Sequence, residues 1–589
     1  MSAQPKEGDW SLIKRLWVYA APDARLYFLA IASAPLSMAL ALVQPLLIKA
    51  IIDDHVTTGE MEGLGTLAAY YLAAVVAAFL LQAAYTLAVA FAGQRTIYRM
   101  REAVYQHLIA MSAAFFDTRP AGALLTRATS DVESLGETLQ GQTINIVLDV
   151  LMVAGVLVSM FVMDWRLTLF MLGIAPVVAL VLEVCRRRLR ALFGEIRNSI
   201  SALNAFLAER LNGVEVVQLF NHQGPTGARF DALNLRVRDA TIRSNLWDAF
   251  MFAAVDGLGS VCLALMFWYS LSDFAGLGGP ESAITAGLLV AFADYLERLF
   301  RPLRQFSNKM AVIQRAAAAL EKIFGLLDDD RRISPGEPDA APAKLDGRII
   351  YKDVRFAYKE GEDVLKGVSF EVSPGQVVAL VGPTGCGKTT VTRLLSRTYD
   401  GYRGSISIDG VELDRLPPAT VRGAVVAVAQ DLHLFPETVR FNVDLGDERL
   451  SLTDLEAAAT LTHAAGFIDE LPEGWDTVLQ ERGGNLSVGQ AQLLTFARTM
   501  AHDPAVIVLD EATASIDPVT ERLVQDAIAR ILERKTVIVV AHRLSTITAA
   551  DQILVMDRGE VAERGTHEEL LSLGGRYAAL YEAGFSEHQ

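Results

Sequence analysis

The chain has 589 residues, too many for one hydrophobic core, so two or more domains are expected. Hydrophobic residues make up 52% and the mean hydropathy is +0.30, values that exclude an ordinary soluble enzyme. A formal net charge of −16 with no basic arm excludes a nucleic-acid partner, and three widely spaced cysteines, Cys185, Cys262 and Cys386, exclude a disulfide framework or a cysteine metal site.

Met1 to Asp9 is polar and the apolar run after it is too long for a cleavable signal peptide. Trp10–Tyr19 mixes aromatics with Lys14 and Arg15, and reads as an interfacial amphipathic helix or as the first turns of the next span. Leu26–Ile48 is free of charge over 23 residues, enough to cross about 30 Å of hydrocarbon. Further runs follow at Gly63–Gln94, Thr138–Met163, Leu167–Leu182, Ala249–Ser272 and Ser282–Ala293, giving six expected spans. The segment between the second and third carries Arg95, Arg99, Arg101, Arg119 and Arg127; that between the fourth and fifth carries ten arginines from Arg186 to Arg243. The positive-inside rule puts both segments, and both termini, in the cytoplasm. At about 43 and 65 residues they are long enough to need their own structure. We expect helical extensions of the spans, turning through crosswise helices near Phe115–Arg127 and Gly213–Phe230. Asp149, Asp256 and Asp294 interrupt the apolar runs, and each costs about 2.5–3.5 kcal/mol at a helix centre. They either face an acidic cavity suited to cationic amphiphiles or pair with arginines at cytoplasmic depth.

Residues 326–347 (LLDDDRRISPGEPDAAPAKLDG) lack periodicity and read as a linker between a domain at 1–325 and an α/β domain at 348–589. In the latter, Val377–Val381 predicts a strand and Thr390–Leu395 a helix. Between them lies Gly382-Pro383-Thr384-Gly385-Cys386-Gly387-Lys388-Thr389. Strand, glycine loop and helix form a phosphate cradle: glycines let backbone N–H groups converge, and the helix start adds partial positive charge. Lys388 then reaches the β- and γ-phosphates and Thr389 a Mg²⁺ ion. Tyr358, about 24 residues upstream, either stacks on adenine or is an ordinary strand tyrosine. Ala424–Ala429 is a small-residue strand ending at Gln430, which can hold a water or a metal. Ser487 and Gly489 in Leu486–Gln490 precede a helix and form a second anion-binding end. The strand Ala505–Leu509 ends in Asp510 and Glu511; one acid suits Mg²⁺ and the other the activation of water. His542 follows the strand Val537–Ala541 and either contacts the γ-phosphate or is a loop histidine.

This constellation closely resembles the ATP-binding cassette (ABC) family. Gly382–Thr389 is similar to Walker A, Leu486–Gln490 (LSVGQ) to the signature, and Val506–Glu511 to Walker B with the catalytic glutamate. Gln430, Ala514–Asp517 and His542 look like the Q-, D- and H-loops, and Tyr358 like the A-loop. The first half resembles exporters with six spans ahead of the cassette, through Phe115-Phe116-Asp117 with Pro120, Gly122, Leu124, Arg127 and Asp131, through Asp164–Leu167 and through Phe300–Leu303. LSVGQ and EATASID lean toward the MdlB-type multidrug half-transporters. Val488 departs from the usual signature glycine, but Ser487 and Gly489 remain.

The resemblance implies a six-helix membrane domain fused to a P-loop nucleotide-binding domain. The chain is then one half of a dimer in a bacterial cytoplasmic membrane. Two cassettes would meet head to tail, with ATP and Mg²⁺ between Walker A of one (Gly382 to Thr390, with Tyr358) and the signature of the other (Ser487, Gly489, Gln490), and Asp517 nearby. Glu511, His542 and Gln430 would be catalytic, with Thr389, Gln430 and Asp510 around the metal. Partners implied are a second half-transporter, a sister chain rather than a copy, membrane lipids and a hydrophobic or cationic amphipathic substrate. The expected activity is ATP-driven export of drugs or lipids by alternating access. The alternatives are a dedicated lipid or peptide exporter and an ATP-gated channel or regulator: acidic span residues disfavour an anionic lipid A-like cargo, the lack of a peptidase domain ahead of the spans disfavours the peptide-processing subtype, and Glu511 disfavours the channel or regulator.

Overall fold

The computed structural model describes residues 9–137, 143–272, 285–340, 342, 344–359, 361–428, 432–510, 517–541 and 544–585. It contains two compact units, Met1–His107 with Gly122–Asp329, and Leu108–Ala121 with Asp330–Gln589.

The first unit is helical. The segment expected to be either an interfacial helix or the first turns of the next span is helical as Asp9–Ala20, and a one-turn 3-10 helix, Ala21–Asp23, leads into the helix Ala24–Ala50. That helix contains Pro35 and Pro45 and continues as a π-helical segment, Ile51–Val56. The helices Leu64–Ile109, Thr143–Met163, Trp165–Leu172, Ala175–Asn212, Gln223–Ser272 and Ala286–Leu327 follow. Among the described residues five stretches are long and apolar enough to cross a membrane: Ser11–Val56, Leu64–Ile109, Asn145–Met163, Trp165–Asn212 and Gln223–Ser270. The sixth expected span starts outside the described residues; its helix carries Asp294, Glu297, Arg298 and Arg301 soon after the apolar start. The fourth is broken at Gly173 and Ile174, and Pro176 in the first turn of the second piece suits a fresh helix start. Asp164 caps the first piece by accepting the N–H groups of Arg166 and Leu167, both at 2.9 Å.

The 50 residues of Gln223–Ser272 extend about 75 Å at helical rise, far beyond the ~30 Å of hydrocarbon. The arginine-rich segments are therefore helical extensions of the spans, as expected. The first expected turn holds the short helices Ala113–Asp117 and Ala121–Thr126. The second is Val214–Leu219, after which the long helix begins at once. Phe28, Ile31, Phe79, Leu80, Phe91, Val162 and Trp268 are exposed, as lipid-facing side chains are. Inside the helices Val156, Met160, Met171, Cys262, Met266, Phe292 and Tyr295 form a core.

Polar ties fix the helix ends. Asp23, only 6% exposed, takes Arg95 at 2.9 Å and Arg99 at 2.5 Å. Asp53 accepts the Thr285 hydroxyl at 2.6 Å and the Gly287 N–H at 2.8 Å, joining the π segment to the start of Ala286–Leu327. The three span carboxylates differ in setting. Asp149 and Asp294 line one cavity of about 610 Å³ with Gln82, Asn145 and Glu297, and Asp294 also pairs with Arg298 at 2.9 Å. Asp256 is exposed on its helix and does not line that cavity.

The second unit holds two sheets. β1 (Ile349–Ala357), β2 (Asp363–Val372), β4 (Arg403–Ile408) and β5 (Val411–Glu412) make an antiparallel sheet in the order β2-β1-β4-β5. β3 (Val377–Val381), β6 (Val425–Val428), β7 (Val506–Asp510), β8 (Thr536–Val540), β9 (Gln552–Asp557) and β10 (Glu560–Gly565) make the other, ordered β10-β9-β3-β8-β7-β6. All its neighbours are parallel except β10. The unbroken apolar runs follow from burial on both faces. In β3, Val377, Ala379 and Val381 enter the core beneath the helix Val488–Ala501, while Val378 and Leu380 enter the core shared with the antiparallel sheet. β7 and β8 alternate in the same way.

Candidate nucleotide site

Parallel register sets one edge of the large sheet as the place where chemistry collects. Leu509 lies opposite Val428 and Val539, and Asp510 opposite Val540, so β6, β7 and β8 end side by side. β3 pairs with β8 and ends at that same edge. Ligands of open parallel sheets bind outside these carboxyl ends.

The phosphate loop runs from β3 to the helix Lys388–Leu395. Gly387 sits at its N-cap with φ +108°, a left-handed conformation that glycine adopts without strain. A Cβ on Gly382 would run into the carbonyl of Met556 and stand 2.9 Å from Cys386 Sγ, so only glycine fits there. No side chain caps the helix start. The Lys388 ammonium is buried at 7% exposure and donates to the carbonyls of Gly382 at 2.7 Å and Pro383 at 3.1 Å. Among the described residues no carboxylate pairs with it. An uncapped helix start beside a buried cation held only by neutral acceptors fits a polyphosphate. Thr384, Gly385 and Thr389 are exposed at the loop's mouth, while Cys386 and Thr390 are buried behind it.

Tyr358 lies one residue past β1 and is 41% exposed, with its hydroxyl 3.1 Å from Thr390 Oγ1. Asp510 is half-buried at the end of β7. Oxygen donors from Thr389 and Asp510 suit Mg²⁺. Gln430, Glu511 and His542 lie outside the described residues, as do Ala514 to Ile516; the strands that precede the first three are the ones that end together at the ligand edge.

The signature is the start of the helix Val488–Ala501. Ser487 accepts the Gln490 N–H at 3.2 Å, and the Gln490 side chain accepts the Ser487 N–H at 2.9 Å, a reciprocal capping box. Gln490 is thus engaged in holding the cap, a use its motif position does not announce. Ser487 and Val488 are exposed, and among the described residues no hydrogen bond joins them to residues 382–390. Asp517 caps the helix Pro518–Leu532 through the N–H groups of Val519 and Thr520. Hydrogen bonding from Thr520 holds its carboxyl below the usual range.

Nothing in the spacing marks Tyr399, yet it is buried against Tyr358, with ring centroids 5.1 Å apart at 86°, and its hydroxyl donates to Asp117. The one local signal is an aromatic residue four positions past the end of the loop's own helix, which no phosphate chemistry requires.

A phosphate loop at the central strand of a parallel sheet, fused to a unit of membrane-length helices, defines an ATP-driven membrane transporter. Residues 27–303 match the ABC transporter transmembrane region family and residues 365–514 the ABC transporter family. The chain is 34% identical over 575 residues to the uncharacterized ABC transporter ATP-binding protein YfiC of Bacillus subtilis (strain 168), covering 98% of this chain and 94% of that one. It is 36% identical over 493 residues to that organism's probable multidrug resistance ABC transporter ATP-binding/permease protein YheH, covering 83% and 72%. Over 593 residues it is 31% identical to the ATP-dependent lipid A-core flippase of Vibrio vulnificus (strain YJ016), covering 100% of both. A bacterial Atm1-family ABC exporter solved with ATP bound superposes with a TM-score of 0.76 at 27% identity, covering 96% of this chain and 99% of that one. The chain belongs to the ABC transporter family. It is a multi-pass membrane protein, an exporter half with an ATPase coupled to transport, and such halves work as dimers.

Proposed function

We propose that this chain exports amphipathic small molecules, drugs or lipids, across a bacterial inner membrane by alternating access, with MgATP hydrolysed at Glu511. The observation that carries the nucleotide reading is the buried Lys388 ammonium beside an uncapped helix start. Lys388 and the loop amides hold the β- and γ-phosphates, Tyr358 carries the adenine, and Thr389, Asp510 and Gln430 hold Mg²⁺. Glu511 orients and deprotonates the attacking water, and His542 contacts the γ-phosphate. Ser487 and Gly489 complete the site of a second chain, so each ATP bridges two chains and its hydrolysis releases them.

The cavity is lined by Asp149, Asp294 and Glu297 together with Arg298 and Arg301, and Asp294 is paired with Arg298, so it supports a cargo with a polar end and an apolar body, with Asp149 and Glu297 the acids for a cationic group. Lipid A flippases among the relatives keep a lipid cargo as the second reading. For the partner we favour a sister chain over a second copy, on the likeness to MdlB-type half-transporters.

ATP hydrolysis by the chain alone in lipid nanodiscs, beside Glu511→Gln, tests this reading. The variant is expected to turn over about 10²- to 10⁴-fold more slowly, the usual worth of a general base, with ATP binding intact. Unchanged turnover in the variant sinks the role of Glu511. Robust turnover by the chain alone sinks the sister-chain reading.

A further inference from the structure

The segment Leu108–Ala121 joins two membrane-length helices in sequence, yet it folds as part of the nucleotide-binding unit. Its Ser112 N–H donates to the Arg331 carbonyl at 3.0 Å, and Met111 bridges to Arg332. Arg331 returns a hydrogen bond to Thr118 Oγ1 at 2.8 Å. Phe115 is fully buried, with the guanidinium groups of Arg119 and Arg331 over its ring at 4.6 and 5.3 Å. Ala113 and Ala114 pack on the core shared by β3 and the antiparallel sheet.

The one acid of the short helix Ala113–Asp117 is taken by Tyr399, whose hydroxyl donates to the Asp117 carboxylate. The Tyr399 ring has the edge-to-face geometry of interacting aromatics with Tyr358, and Phe356 closes the cluster at 4.9 Å from Tyr358 and 6.1 Å from Tyr399. Tyr358 in turn shares a hydrogen bond with Thr390, directly after the phosphate loop. Three contacts therefore lead from the loop to Asp117: Thr390 to Tyr358, Tyr358 to Tyr399, and Tyr399 to Asp117.

We propose that Tyr399 is a positioning residue that passes occupancy of the adenine position at Tyr358 to the helix Ala113–Asp117 through its hydrogen bond to Asp117. The proposal rests on the reading of Tyr358 as the adenine-stacking residue. A purine on the open face of Tyr358 fixes that ring, and the edge-to-face contact then fixes Tyr399. With the ring held, the phenol holds Asp117 and the loop that carries it. The arrangement lies within one chain and needs both a base and phosphates.

The test is amide hydrogen exchange of residues 108–121 in the full chain in lipid nanodiscs, without ligand, with a non-hydrolysable ATP analogue and with tripolyphosphate. The analogue is expected to slow exchange about fivefold, what one hydrogen bond is worth, and tripolyphosphate, which lacks a base, by much less. Tyr399→Phe and Asp117→Ala should each remove that protection while binding the analogue within about twofold of the parent affinity, and the double variant should lose no more than either. Full protection in Tyr399→Phe, or equal protection by tripolyphosphate, overturns the proposal. Failure of the underlying reading shows elsewhere: Tyr358→Ala that binds the analogue as tightly as the parent removes adenine stacking and the origin of the signal with it.

Discussion

Lys388 holds its ammonium against two carbonyls of its own loop, and a phosphate must draw it away from them. Lys388→Met is therefore expected to weaken nucleotide binding about 10- to 100-fold, the range for charge-assisted hydrogen bonds, read by calorimetry in nanodiscs. Gly387→Ala forces a side chain into φ +108° and within 2.7 Å of Leu365 Cδ2. It is expected to cost about 1–3 kcal/mol and to lower the melting temperature of the nucleotide-binding unit. Tyr399 gives a pH signature. Burial, and then the hydrogen bond to Asp117, raise its phenol above the ordinary value of 10.0. The raised value means this stabilisation is complete below pH 10 and is lost as pH rises through the folded value. Melting curves taken upward from about pH 9 should fall more steeply for the parent than for Tyr399→Phe; parallel slopes would remove the effect.

At the scale of elements, the strands were the most legible feature. Val377–Val381 and the runs around Val508 and Val539 are β-branched and bounded by motif residues, so sheet type and loop position both follow from them. The break at Gly173 was not legible, because a helix-compatible apolar run continues across it and only the Asp164 cap and Pro176 reveal two pieces. Segment 108–121 was not legible either. Its allegiance to the second unit rests on contacts with Arg331 and Tyr399, more than 200 residues away, which no local pattern encodes. Of the candidate site, the phosphate loop could be read because its backbone demands particular residues, whereas the use of Gln490 as a cap depends on side-chain geometry alone. The π segment offers a test. Asp53 joins it to the Ala286–Leu327 helix start, and Asp53→Ala is expected to cost about 0.5–2 kcal/mol, like the loss of a helix cap. Faster amide exchange at residues 286–289 checks it, since Gly287 N–H loses its acceptor.

At the scale of the whole molecule, arginine distribution argues for both termini and both long segments in the cytoplasm. A protease-sensitive tag after residue 589 is expected to be cut in inside-out vesicles and protected in right-side-out ones; the reverse pattern would invert the topology. The 50-residue helix Gln223–Ser272 has a mechanical meaning beyond spanning a bilayer. About 75 Å of continuous helix is a lever, and a tilt of only ~5° sweeps its far end through ~6–7 Å. A rearrangement of about one ångström beside its fulcrum is thereby magnified severalfold at its tip, without any hydrogen bond along the helix having to break.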